Sequence, residues 1–229
     1  MTPAEIVDRM ANLSRTLYSR CVVNSRPLWI IWQSYNDQNN PLRDQALIGN
    51  EGASAINRLA NSALYETIMI VTRAFDASGR GGALRSDRAS FKVLAELAQL
   101  HGVRDEVARR ASAWFEDGWN ADENARAALG ALDQIDAALL RLDAEEPNRI
   151  RLMRNFRDQY LAHNLVFDIE RERPIFGHIT SMLEEMTLLV EASELALSGA
   201  SIFWDMLDEN ARLSAEELWR TIRRGAATA

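Results

Sequence analysis

The stretch "RNFRDQYLAHN", Arg154 to Asn164, holds the residue types in this chain that could act on a phosphodiester. Arginines stand at 149, 151, 154 and 157 with no acidic residue among them, and the run leads into His163, one of three histidines. A guanidinium offers a fixed fork of donors to phosphate oxygens. An imidazole titrates where it can both take and give a proton. The same residues also fit an amphipathic helix whose solvated basic face ends in histidine.

The element that must position them comes after "EEPN" (Glu145 to Asn148), a stop-and-cap sequence. At about 100° per residue, Leu152, Met153, Phe156 and Tyr160 fall on one packing side, while Arg151, Arg154, Arg157 and Asp158 share another arc. Six residues apart on an ideal helix, Arg157 and His163 point about 120° apart, so one unbroken helix does not bring them to one phosphate. Either the helix ends near Ala162 and His163 turns back, which the irregular "HNLVFDIERERP" allows, or two copies of the motif face each other across a two-fold axis. In an unbroken helix His163 would share the side of Phe156 and Leu152, where a core histidine sits. Asp158 can orient His163 or a neighbouring arginine, or pair with Arg154 one turn back, and the last is favoured. Asn155 and Asn164 can contact a ribose or phosphate or cap the helix end, capping being the better reading for Asn164.

The rest of the chain reads as all-α, since apolar residues recur at three and four and rarely alternate. Thr2, Pro3 and Glu5 start a helix to about Val23 with an inner stripe of Ile6, Met10, Leu13, Leu17 and Cys21, and Pro27 breaks or kinks the chain before "LWIIW". A second helix starts near Pro41, is disturbed at Gly49 and Gly52, and runs to Asp76; "SGRGG" at 78–82 is a loop. Further helices are expected at about 87–100, 103–115, 122–142, 148–162, 179–197, 202–211 and 214–224. Without an internal repeat or a long linker, this suggests one domain over 1–229, with a helical core at about 3–199 and a helical extension at about 200–229. The six tryptophans read mostly as core, including the pair Trp29 and Trp32.

The order Arg157, Asp158, four residues, His163 resembles the signature of the HEPN superfamily: an arginine, a polar residue and a histidine shortly after. "RDQYLAH" is most similar to its abortive-infection U-type (AbiU-like) branch, and "IMIVTRAFD" (Ile68 to Asp76) is similar to that branch's Arg-containing helix ending in Asp. Within that second motif Arg73 reads as a partner of Asp76 or Glu66 in preference to a phosphate contact. The resemblance implies a helical bundle that dimerises, with Arg and His of both protomers meeting in a cleft, and metal-independent cleavage of RNA, tRNA or mRNA, by a toxin or phage-defence effector. An antitoxin or another defence protein would then be a partner. Such cleavage needs a base for the 2′-hydroxyl, an acid for the leaving 5′-oxygen and a cation on the phosphorane. Arg157, His163 and Asp158 are the candidate catalytic set, and Arg154, Arg151 and Asn164 the candidate phosphate contacts. A fold that binds nucleotide or protein without cutting, and a helical interaction protein without a site, remain open beside it.

Composition narrows these readings. A net charge of −7 weighs against broad, sequence-blind nucleic-acid binding, so an RNA role needs a local basic site. The single cysteine, Cys21, forms no intramolecular disulfide, no apolar run approaches a membrane span, and the charged "MTPAEIVDRM" does not read as a signal peptide, so the expectation is cytoplasmic, with no membrane partner. The three histidines lack ligand spacing, "GRGG" lacks the Lys-Ser/Thr of a phosphate loop, and no Ser, Thr or Cys stands in a nucleophile context. Neither metal nor cofactor is expected.

Overall fold

The computed structural model describes residues 1–37, 40, 45–115, 117–162 and 174–227. Every regular element among them is helical, as the spacing of apolar residues predicts. None of these helices is long and apolar enough to cross a membrane. The chain packs as two compact units, residues 1–22 with 71–202, and residues 23–70 with 203–229.

The first unit holds α1 (Pro3–Thr16), a π-helical turn (Leu17–Val22), the end of α3 (Gln45–Ala74), α4 (Phe91–Ala98), α5 (Val103–Ala111), α6 (Ala121–Ala144), α7 (Arg149–Phe156), a second π-helical turn (Arg157–Ala162) and α8 (Phe176–Ser198). Thr2 starts α1 with the reciprocal cap that the sequence foretells: the Glu5 carboxylate accepts from the Thr2 N–H at 2.7 Å, and the Thr2 hydroxyl accepts from the Glu5 N–H at 3.3 Å. α8 is the central element, packed against α1, α5, α6 and α7. Ile179, Met182, Leu183, Met186, Leu189 and Val190 are all buried along it, as in a helix covered on most of its circumference. Facing them are Met10, Leu17, Leu132, Ile135 and Met153, each almost fully enclosed. Burying a side chain of this size contributes about 1.5–3 kcal/mol.

On α1 the inner stripe is shifted from the expected one. Leu13 is half-buried and Ser14 takes the deep position, because its hydroxyl lies 2.9 Å from the Ser193 hydroxyl and donates to the Glu194 carboxylate at 2.5 Å. A buried hydroxyl needs such partners, and α8 supplies them.

The second unit holds α2 (Val23–Asn36), most of α3 and α9 (Trp204–Ala227). Pro27 lies inside α2 and does not end it. One lost backbone hydrogen bond is outweighed there by the burial of Trp29 and Trp32, stacked with ring centroids 4.9 Å apart, and by Tyr35, 5.5 Å from the Trp219 ring of α9. The break expected between 211 and 214 is also absent. The Ser214 hydroxyl donates to the Asn210 carbonyl at 2.8 Å, and Ala211, Ala215 and Trp219 form one buried stripe on α9. α3 runs through Gly49 and Gly52 without interruption. The expected start of that helix, Pro41, lies outside the described residues. Trp119 departs from its core reading, being 60% exposed.

On α5, Glu106 accepts from Arg109 at 2.7 Å and from Arg110 at 2.8 Å, and Arg110 continues to Asp8 of α1 at 2.6 Å. The hydrogen bonds of Arg109, then of Arg110, hold the Glu106 carboxyl down from 4.5 to about 2. A carboxyl depressed on folding stabilises above its unfolded value and loses that contribution as pH falls through the folded one. Glu106→Gln should therefore lower the melting temperature at neutral pH, and the gap to wild type should close as pH falls from 4.5 towards 2. Thermal melts across that range check it, and a gap that stays constant refutes the charge linkage.

Candidate functional site

α7 is set by its cap and its buried face. The Asn148 side chain accepts from the Arg151 N–H at 2.8 Å, while its amide donates to the Leu142 and Asp143 carbonyls at 3.2 Å, fastening the start of α7 to the end of α6. Arg149 pairs with Glu145 at 2.7 Å. Ile150, Leu152 and Met153 are buried, against α6 and α8, which turns Arg151 outward and leaves Arg154 and Arg157 half-buried. Of the expected packing side, Leu152 and Met153 are enclosed, Phe156 is half-buried, and the Tyr160 side chain lies outside the description.

At Arg157 the helix changes type, and Arg157–Ala162 forms a π-helical turn. Such turns, bonded from i to i+5, are rare and frequently mark functional sites. The angles of an ideal α-helix therefore do not carry from Arg157 through the motif. His163 and Asn164 lie outside the described residues.

The structure brings together three elements of the site that are distant in sequence or read as separate. Asp76, just past the end of α3, faces both Arg157, Nη1 to Oδ1 3.3 Å and to Oδ2 3.5 Å, and Arg154, Nε to Oδ1 3.5 Å. The last distance is an electrostatic contact without hydrogen-bond geometry, since Arg154 Nε is buried without a hydrogen-bond partner. Arg154 instead donates from Nη2 to the Phe75 carbonyl. Arg157 donates from Nε to Asp158 at 2.7 Å. Partial burial is the largest single influence on Arg157 and favours its neutral form, but the hydrogen bond of Asp158 and the charge of Asp76 together prevail, so its pKa is raised and it stays a cation.

Two sequence readings are corrected here. Asp158 pairs with Arg157, its neighbour, and not with Arg154 one turn back. Asp76 is bound by Arg154 and Arg157, while Arg73, the expected partner, is exposed. The consequence is that Asp76 of "IMIVTRAFD" and Arg154, Arg157 and Asp158 of "RNFRDQYLAHN" form one cluster. Asp76 was visible at the end of the first motif, but nothing in local spacing linked it to residues nearly eighty positions on. Its two cations and two carboxylates, Arg154, Arg157, Asp76 and Asp158, cancel in charge.

The helical fold and the Arg157–Asp158 pair agree with the HEPN resemblance of the sequence. The family model described as AbiU2 matches residues 5–218, and the chain belongs to this HEPN AbiU2 family. No curated protein and no solved structure matches it.

Arg154 joins the Phe75 carbonyl to the Asp76 carboxylate, and removing it leaves a buried acceptor open. Arg154→Ala should lower stability by about 1–3 kcal/mol in urea unfolding, as expected for a charged hydrogen bond. Arg154→Lys should recover little of this, since a point charge cannot serve both sites.

Proposed function

We propose that this protein is a metal-independent endoribonuclease of abortive infection that acts as a homodimer. Arg157 holds the scissile phosphate, His163 transfers protons and Asp158 holds Arg157. The observation that carries the reading is the fixed Arg157: a half-buried cation, gripped by Asp76 and Asp158, stands at the first residue of a π-helical turn that runs to Ala162, next in sequence to His163. Arg151, exposed on the preceding turn, and Asn164 are the outer contacts to the RNA backbone. Arg154 takes a holding role, since its Nη2 donates to Phe75 and its Nε faces Asp76. In a two-fold dimer one His163 serves as base and the other as acid, which a monomer lacks. An antitoxin or another defence protein fits this reading as the controlling partner.

One feature favours a second reading, a HEPN fold that binds nucleotide or protein without cutting. The two carboxylates beside Arg154 and Arg157 cancel their charge, and a cation already engaged is less open to phosphate.

Purified protein incubated with total RNA in the presence of a chelator separates the two. Wild type should cleave, and Arg157→Ala and His163→Ala should each cleave at least about 100-fold more slowly. Equal cleavage by all three rejects the ribonuclease, whereas RNA binding without cleavage, weakened by Arg157→Ala, supports the second reading. Expression of wild type should arrest growth and His163→Ala relieve it. A sizing column should give the mass of a dimer.

A further inference from the structure

We infer that Asp76 is a positioning residue for this reaction: its carboxylate aims the Arg157 guanidinium, and a clamp of side chains around its backbone fixes that carboxylate. The inference rests on the ribonuclease reading above.

The clamp is made by three successive carbonyls just beyond α3. Phe75 accepts from Arg154, Asp76 accepts from the Ser90 hydroxyl at 2.6 Å, and Ala77 accepts from Arg88 Nη1 at 2.9 Å. Carbonyls just past a helix end have no helical partner, so cationic and hydroxyl donors satisfy them. Two of the fastenings are anchored in the core. Ser90 is fully buried and also accepts from the Val93 N–H at 3.2 Å as the cap of α4. Phe75 is fully buried against Phe91, ring centroids 5.4 Å apart. The backbone of Asp76 is therefore held from α4 and α7 together, and only its carboxylate looks out towards the arginines.

That carboxylate meets Arg157 through one nitrogen, Nη1, shared between Oδ1 and Oδ2. Asp158 takes Nε, on the other side of the guanidinium. Two fixed points set the plane of a rigid fork, and Nη2 is the donor that neither carboxylate takes. Arg157 is thus oriented before any phosphate arrives, which is where placement contributes most to rate.

Asp76→Asn separates orientation from charge. It keeps the backbone carbonyl that Ser90 fastens but leaves Arg154 and Arg157 without their shared anion. Loss of a negative charge favours RNA binding, while loss of aim slows the chemistry. We expect kcat to fall by about 10–100-fold with KM unchanged or lower. On the Arg157→Ala background the same change should have no further effect, because the two residues act as a unit. Should Asp76→Asn fail to fold, Asp76→Glu, which keeps the charge but displaces it by one methylene, should show the same kind of kcat loss. A wild-type kcat, or a full additional loss on top of Arg157→Ala, overturns the proposal. NMR of the Arg157 guanidinium gives a readout independent of cleavage: rotation about its Nε–Cζ bond should be slow in wild type and faster in Asp76→Asn. Equal cleavage by wild type, Arg157→Ala and His163→Ala defeats the ribonuclease reading alone, while unchanged rotation in Asp76→Asn defeats the positioning role.

Discussion

A single carboxylate shared by two guanidiniums is the constraint on which this site depends. Asp76 lies within 3.5 Å of both Arg154 and Arg157, at the junction of the end of α3 with the end of α7. Half-buried cations without a counter-charge would be driven into water, and the motif helix would then have only its cap and its apolar face to fix its orientation. With Asp76 in place, the packing of Ile150, Leu152 and Met153 sets where α7 lies, and the ion pairs set where its basic side points. Each guanidinium has its own second attachment, the Phe75 carbonyl for Arg154 and Asp158 for Arg157, so their places are not interchangeable.

Much of the fold was legible because local chemistry and tertiary packing agree. The Thr2 cap, the Asn148 stop and the three-and-four spacing on α6 and α8 each act over one turn, so the sequence contains all that is needed. Where they disagree, packing prevails. Pro27 is a strong local breaker, yet the aromatic residues beside it and α9 hold α2 together. Ser214 is a good cap by type, yet it lies between Ala211 and Ala215 on a stripe that Trp219 continues, and burial carries the helix through. Ser14 replaces Leu13 inside because of two polar partners on α8 that no window around residue 14 contains.

The site was legible in the same partial way. The resemblance at "RDQYLAH" singled out Arg157 and Asp158 as candidates, and helical periodicity placed Arg151 and Arg154 with them on a basic arc. The division of labour within that arc was not visible, since it depends on Asp76, whose approach is a property of the fold. The change of helix type at Arg157 was likewise hidden. The expected angle between Arg157 and His163 rested on ideal α geometry, which a turn bonded from i to i+5 does not keep.

Lys92 is the one lysine in the chain, and its ammonium bonds both oxygens of Asp143, at 2.8 and 2.7 Å, joining α4 to α6. Apart from the histidines, all other basic side chains are guanidiniums, which acylating reagents leave alone at neutral pH. Amine-directed dyes, biotin esters and bifunctional crosslinkers thus find a single side-chain address, already occupied in an ion pair. Carboxylate- or arginine-directed reagents are therefore the natural means of mapping the surface.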